Sequence, residues 1–519
     1  MKSLLTYSSV TILAVFTFCL MAETADAQSR HYTHQNMGLG GGGTAYQGTY
    51  HANFINPANL MLDDHRRPRL SVGLFGGLYT QAGGDLLNIQ TYNEYLTTGM
   101  VLEGQLADDM LNQWFGRNSA GMRSLSSEIG IVPFGFSWRS ENSAFSVVSR
   151  GRVMQSSRFS RGFADLFFKG LDAEVFADGR NVSMDQEVVA FHEVSAGYSR
   201  LVMERDAMLG FGRNVRLYAG VAPKMMFAQA YTNANLTSVL TIREATEDEN
   251  SYINHVFDYS INAVGEFSNN LAAYNEQRDL GNSPPIGDYL DIDGSDFSSV
   301  KGTSLGFDLG LTLEMDVDEI SAFDFGIFKG PKKLRVAASI TDLGSLKFSD
   351  NARSFRAAND FTWRGFNYDR ELIDEEFDGD SDKYFESVLA DSIGSDVYGN
   401  FVTEDRSDFS VGLPTMFNIG THLLLGKFSV MADFGKGFVE RGNNSSRLYM
   451  ALGTEYRLLN RIPLRVGYRT GGYSSSTYHF GTGLEFRNFE FSVAAGTTNS
   501  SEKRGGSLGF AWSGLVFHF

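Results

Sequence analysis

The feature that most constrains this chain is a two-residue hydrophobic period that recurs from about residue 70 to the last residue. In Leu464-Arg465-Val466-Gly467-Tyr468-Arg469, apolar side chains take the even positions and Arg or Gly the odd ones. Successive side chains of a strand point to opposite faces, so such a segment has one apolar and one charged face. Leu484-Glu485-Phe486-Arg487 and Phe489-Glu490-Phe491-Ser492-Val493 repeat the pattern on either side of Asn488 and predict a tight hairpin. Comparable segments lie near 69–80, 126–139, 144–153, 189–199, 215–227, 232–242, 303–315, 334–342, 409–422, 428–434 and 447–457. With the C-terminal strands they predict an all-β fold, a transmembrane antiparallel β-barrel of about 14 strands. Many segments are about 10 residues long, the length of a tilted strand crossing a bilayer.

Composition agrees with strands as the spanning elements. The chain holds 56 Gly, 42 Phe and 22 Tyr beside 9 Pro, yet its mean hydropathy is only −0.19. Lipid-facing residues that alternate with polar ones dilute hydropathy in this way. Aromatic pairs near segment ends, Phe75 and Tyr79, Phe134 and Trp138, Tyr449 and Tyr456, are expected to form interfacial girdles. The chain stops at Leu515-Val516-Phe517-His518-Phe519, with Leu515, Phe517 and Phe519 on one parity. That ending looks like the signature read by the barrel-assembly machinery. Leu508, Phe510 and Trp512 lie on the other parity, which predicts a glycine bulge near Ser513-Gly514.

At the other end, Lys2, an apolar stretch from Ile12 to Met21 and Ala25-Asp26-Ala27 read as a secretory signal peptide over residues 1–27. Its export predicts a bacterial outer-membrane location, with outer-membrane lipid and lipopolysaccharide as surroundings. The chain's one cysteine, Cys19, falls in that segment, so thiolate metal sites and cysteine nucleophiles are excluded downstream. A formal net charge of −17 argues against nucleic acid as a partner. Two polar, acidic stretches, 244–301 and 349–408, break the strand rhythm and are read as long extracellular loops. Around 158–178, Phe159, Phe163, Leu166, Phe167 and Leu171 at helical spacing predict a short amphipathic helix, capping the barrel or packed within a loop.

Residues 28–68 precede the first strand, and the barrel is assigned to 69–519. This segment carries the glycine-rich Gly38, Gly40, Gly41, Gly42 and Gly43, then Asn56-Pro57-Ala58. A glycine-rich start followed by Asn-Pro-Ala before the first strand resembles the FadL family of long-chain fatty-acid transporters and its relatives, which include PorV-like barrels in secretion and an uncharacterised Bacteroidetes-type branch to which the resemblance points. Pro463-Leu464-Arg465-Val466-Gly467-Tyr468-Arg469 and Phe480-Gly481-Thr482-Gly483-Leu484-Glu485-Phe486 are similar to the last hairpins of that group. The resemblance implies a 14-stranded barrel plugged by an N-terminal hatch, with Asn56, Pro57 and Ala58 as the plug motif. It also implies hydrophobic substrate that enters from outside and leaves through the wall. From the residues alone, Pro57 makes Asn56 extended, and a structural turn explains the motif equally well.

Enzymatic chemistry finds no support. Gly302-Thr303-Ser304-Leu305-Gly306 and Gly505-Gly506-Ser507-Leu508-Gly509 match a nucleophile elbow, but each serine opens an alternating strand where a strand-to-helix turn is required. Gly40–Gly43 lacks the ending of a phosphate loop and is read as flexible backbone. Asp291, Asp293 and Asp296, and Asp378, Asp380 and Asp382, are fragments of calcium loops without the twelfth-position glutamate, and read as solvated acidic loops. His31 and His34, with His51, are expected to be solvent-exposed near the mature terminus, so neither a metal nor a cofactor is assigned.

Three readings of function follow: passive uptake of a hydrophobic ligand, a partner of a secretion-system or surface complex, and a structural barrel without transport. An apolar tunnel behind Asn56 with a gap in the wall favours the first. A lumen filled with charged pairs favours the second.

Overall fold

The structure, a computed structural model, describes residues 31–62, 68–97, 102, 104–116, 121–245, 251–280, 282, 289, 298–318, 330–364, 375–376, 401–438, 444–472, 474–498 and 505–519. Residues 1–27, read as a signal peptide, and both aspartate clusters lie outside the described residues. Fourteen antiparallel strands close into a transmembrane barrel of the outer-membrane type. In chain order they are β1 (Leu70–Gly84), β2 (Arg123–Arg139), β3 (Ser143–Phe159), β4 (Met184–Met208), β5 (Gly212–Arg243), β6 (Gly302–Asp316) and β7 (Lys332–Phe348). They continue with β8 (Met416–Leu425), β9 (Phe428–Gly437), β10 (Leu448–Leu458), β11 (Ile462–Gly471), β12 (Ser474–Glu485), β13 (Phe489–Thr498) and β14 (Gly506–Trp512, resumed at Leu515–His518). Each pairs with the next, and β14 returns to β1. The last residue is tied in: the Leu70 N–H donates to the Phe519 carbonyl and the Phe519 N–H to that of Leu70. Among the described residues no helix is long and apolar enough to cross a membrane.

The alternation sorts side chains as lipid demands. In β11, Leu464 and Val466 are exposed, whereas Arg465 and Arg469 are almost wholly buried. A monomeric soluble protein would not leave a belt of Leu, Val and Phe in water; here it faces the bilayer. The girdle expectation holds for Phe75, Phe134, Trp138 and Tyr456, all exposed, and fails for Tyr79 and Tyr449, which are buried. Tyr449 and Tyr456 are an odd number of residues apart and so face opposite ways. Tyr79 is turned inward by a bulge, because the β1–β2 register shifts between Leu74 and Gly77 and Phe75 sits at φ 58°.

Most turns at one end of the barrel are short, for example Gly426-Lys427 and Leu459–Arg461, and the longest connections, 85–122, 160–183, 244–301 and 349–415, all lie at the other end. Long connections are extracellular in barrels of this type. Two expectations are corrected there. Residues 215–227 and 232–242 are parts of one 32-residue strand, β5, because nothing between them turns the chain. The long connections are not plain loops either: Tyr252–Ala263 pairs with the upper part of β5 and with Arg353–Arg364, which pairs with Val402–Asp405. A strand of 32 residues far exceeds the 9–11 that span a bilayer, so this sheet stands above the membrane. The segment around 158–178 forms helices Arg161–Lys169 and Ala173–Phe176, whose Phe163, Leu166 and Phe176 pack on the raised sheet with Phe257, Phe361 and Trp363.

His255 is enclosed in this sheet beside Phe257 and Phe361, and burial lowers its pKa to about 4. A histidine that is harder to protonate folded than unfolded adds stability above its unfolded pKa, near 6.5, and that contribution is lost as pH falls from there to about 4. Acidification over that window is therefore expected to loosen the raised sheet while the barrel persists. The fluorescence of Trp363, buried in the same cluster, reports it, and His255→Phe should flatten the response.

Candidate functional site: the lumen and the segment inside it

The described part of the N-terminal segment, from His31 to Leu62, is packed inside the wall, and nearly every residue of it is buried. Its first helix, His34–Gly38, is capped by Thr33, whose hydroxyl accepts from the Asn36 N–H at 3.1 Å while Asn36 Oδ1 accepts from the Thr33 N–H at 2.7 Å. Two 3-10 turns follow, Tyr50–Phe54 and Pro57–Met61. Asn56 is extended at φ −160° and caps the second turn, its Oδ1 accepting from the Ala58 N–H at 3.1 Å. Its Nδ2 donates inward to the Thr44 carbonyl at 2.8 Å and outward to Thr312 Oγ1 on β6 at 2.9 Å. Asn59 completes the clamp, donating to the carbonyls of Thr44 and Gln47 and accepting from Thr312 at 2.7 Å. Irregular backbone at membrane depth needs such internal partners, and asparagine supplies a donor and an acceptor from one side chain.

Pro57 and Ala58 fit only because the wall behind them carries no side chain. A Cβ on Gly220 would stand 2.3 Å from the Ala58 nitrogen, and one on Gly310 would collide with Asn56. Gly40–Gly43 is a packed turn and not flexible backbone, a correction to the sequence reading. Gly40 (φ +85°) and Gly41 (φ +81°) turn left-handed against β11, Gly42 abuts Asp433, and the Thr44 N–H donates to Asp433 Oδ1 at 2.9 Å. Gly38 rests on Arg465 and Gly481. The histidine expectation is also corrected: His31, His34 and His51 are all buried, His31 Nε2 meeting His51 Nδ1 at 2.9 Å. Leu515, Phe517 and Phe519 lie on the outer parity, while Val516 and His518 face inward. Ser304 and Ser507 lie near the starts of β6 and β14.

Above this segment the lumen is crossed by a belt of ions. Arg150 pairs with Glu193 at 2.5 Å, and Arg152 with Glu128 at 3.0 Å and Asp342 at 2.9 Å. Lys224 reaches Asp342 at 2.5 Å and Asp308 at 3.1 Å, and the Tyr79 hydroxyl donates to Glu128 at 2.8 Å. A second group of ions lies at the short-turn end of the barrel, where Arg457 and Arg465 share Glu455 and Glu485, and Lys333 and Arg335 share Glu314. Buried charges persist only when paired in this way. On the extracellular side of the belt the inward positions become apolar: Met154, Phe191, Met226, Leu346 and Phe348 form one closed cluster. On the short-turn side, a cavity of about 220 Å³ separates the inner segment from β7–β10, lined by Tyr46, Leu60, Arg335, His422 and Arg457 among others.

The wall itself is irregular at one height in three adjoining ladders. β14 breaks at Ser513-Gly514, with Gly514 at φ +68° beneath the Phe75 carbonyl, β1 bulges between Leu74 and Gly77, and the β2–β3 register shifts between Ile131 and Phe134. The bulge anticipated near Ser513-Gly514 is thus present, and the strand's outer parity switches across it. From inside, the Tyr50 hydroxyl donates to the Gly76 carbonyl at 3.1 Å, and its ring fills the space left by Gly73 and Gly135. Tyr50, Phe54, Val132, Val148 and Val516 make an apolar cluster behind this seam, and Arg150 lies over the Phe54 ring at 3.7 Å.

A family model described as a family of unknown function, DUF5723, matches residues 67–496. This chain belongs to that family. No curated protein matches it. Among solved structures it is similar to the Pseudomonas putida toluene transporter TodX, at 10% identity over 95% of this chain and 99% of that one, with a TM-score of 0.42. It is similar also to the Ralstonia pickettii toluene transporter TbuX, at 11% identity over 94% and 99%, with a TM-score of 0.39. A Pseudomonas aeruginosa FadL homologue matches at 11% identity over 95% and 100%, with a TM-score of 0.25.

Proposed function

We propose that this chain is an outer-membrane barrel that admits a small hydrophobic molecule from outside and releases it sideways, with residues 28–68 as the plug and Asn56-Pro57-Ala58 as its anchor. The observation that carries this reading is the seam of β14, β1 and β2. There the ladder is interrupted in three successive pairings, and what backs it is Tyr50 and Phe54 of the inner segment, not an ion pair. Withdrawal of those two rings would expose an apolar path from the lumen towards lipid, where a hydrophobic molecule leaves without crossing water. The apolar cluster around Phe191 and Phe348 offers a matching environment on the extracellular side. The mechanism is binding and diffusion, with no covalent step.

Uptake of a hydrophobic fluorescent probe by cells with and without the protein tests the reading. Tyr50→Ala is expected to raise uptake several-fold. A cysteine pair, Asn53→Cys with Ser146→Cys, joins inner segment to wall where the two side chains touch at 2.5 Å. The oxidised pair should bring uptake to the level of cells lacking the protein, and a reductant should restore it. Equal uptake in the two cell types would remove the transport reading.

The ion-paired belt favours the second reading, a barrel that serves a secretion-system or surface complex as a partner and keeps its lumen shut. The raised extracellular sheet supplies a surface for it. Purification in mild detergent separates the two, since a bound lipid-like molecule supports uptake and a stoichiometric co-purifying protein supports partnership. A structural barrel retains neither.

A further inference from the structure

We propose that His34 and Glu490, with Glu485 and His518 beside them, form a site for a divalent transition-metal ion of the zinc type, which fastens the inner segment to the closing strands of the barrel. His34, Glu490 and His518 come from distant parts of the chain: the first helix of the inner segment, the start of β13 and the end of β14. His34 Nε2 lies 2.5 Å from one oxygen of the Glu490 carboxylate, and His518 Nε2 lies 3.6 Å from the other. Glu485 Oε1 is 3.8 Å from His34 Nε2. All four side chains are more than nine-tenths buried.

An ion pair between His34 and Glu490 does not account for the arrangement. Neither His34 Nε2 nor His518 Nε2 makes a hydrogen bond, although both are buried and aimed at one carboxylate. His518 Nδ1 meets Ser71 Oγ at 2.8 Å. A donor on Nδ1 leaves the Nε2 lone pair free for a metal and fixes the ring, the support that metal-bound histidines usually have. Two imidazoles and a carboxylate suit zinc and its neighbours, not calcium or magnesium, which prefer oxygen throughout.

With bonds of about 2.0–2.1 Å, ligand atoms of four-coordinate zinc stand about 3.3 Å apart. The ligand atoms of His34, Glu485 and Glu490 all lie within 4.8 Å of one another, His518 Nε2 stands 3.6 Å from the second Glu490 oxygen, and the His34–Glu490 contact of 2.5 Å has to open by about 0.8 Å. Glu485 is held by Arg457 and Arg465, so it borders the fourth position while its charge stays balanced. The ligand set is complete only when the barrel has closed around the inner segment. Metal retention is independent of whether the barrel transports anything.

The full-length protein, stripped with a chelator and folded in detergent, is incubated with Zn²⁺ and freed of excess by gel filtration, and its metal is counted by mass spectrometry. One zinc per chain is expected, with affinity reduced tenfold or more in His34→Ala and in Glu490→Gln, each checked for heat-modifiable migration as a sign of folding. Co²⁺ in place of zinc should give visible absorption that His34→Ala lacks. Wild-type protein that holds no zinc and shows no Co²⁺ absorption overturns the proposal whether or not a variant folds. So does a folded His34→Ala that binds zinc as tightly as wild type.

Discussion

Lys224→Met is expected to cost the folded barrel about 3–5 kcal/mol, the penalty for breaking a buried ion pair by removing one partner. Lys224 Nζ is fully buried and lies within 4 Å of three carboxylates, those of Asp342, Asp308 and Glu193. Methionine keeps the volume and removes the charge, leaving those three groups with Arg150 and Arg152 as the neighbouring cations. Denaturant midpoints in detergent or lipid read the loss, with the slope unchanged if the transition stays cooperative. Lys224→Met with Asp308→Asn should lose less than the two single losses together, because the second change removes a charge that the first has orphaned. A change below about 1 kcal/mol in the single variant would mean that the belt is hydrated and its ions are screened.

Gly220→Val is expected to leave the barrel folded and to expel the inner segment. Gly220 is paired in mid-strand with Ser199 and Gly310, where a β-branched residue suits the ladder. Its side chain, however, would begin 2.3 Å from the Ala58 nitrogen and 2.4 Å from the Pro57 carbonyl carbon. Both are backbone atoms of a turn locked by proline and by Asn56, so no rotamer relieves the overlap. The expected readouts are intact heat-modifiable migration, cleavage of residues 31–62 by added protease, and ion conductance across planar bilayers that the wild type lacks. Gly220→Val protein that remains protected and non-conducting would show that the segment can seat elsewhere, and the anchoring role given to Asn56-Pro57-Ala58 would fall.

The barrel was legible because its rule is local. Whether Arg465 and Val466 face apart is settled by the pleat of one strand, so a reader of Pro463–Arg469 has the inner and outer faces before any pairing is known. The bulge at Gly514 was legible for the same reason, since two stretches of fixed phase cannot join out of phase without an extra residue. Errors arose where a second strand intervened. Tyr79 turns inward because β1 bulges against β2, and 232–242 continues β5 because partners arrive from connections 244–301 and 349–408. The histidines depart from the expectation of solvent because the wall encloses the whole segment that carries them.

For the inner segment, the sequence pointed to Asn56, Pro57 and Ala58 and missed Asn59, Asn53 and Tyr50. A second asparagine three residues after the first was the available signal. The glycines that receive them, Gly220, Gly310, Gly73 and Gly135, carry no mark of their role in the sequence, because the segment they face is far away along the chain.

Taken alone, then, the order of residues determined that strands cross the membrane, which positions face lipid and where the closing strand ends, because each follows from backbone alternation within a few residues. Which charges meet in the lumen, what the N-terminal segment presses against and that Glu490 lies beside both His34 and His518 were decided only by closure. Those contacts join residues as much as 456 positions apart, and their geometry depends on the register of every strand between them.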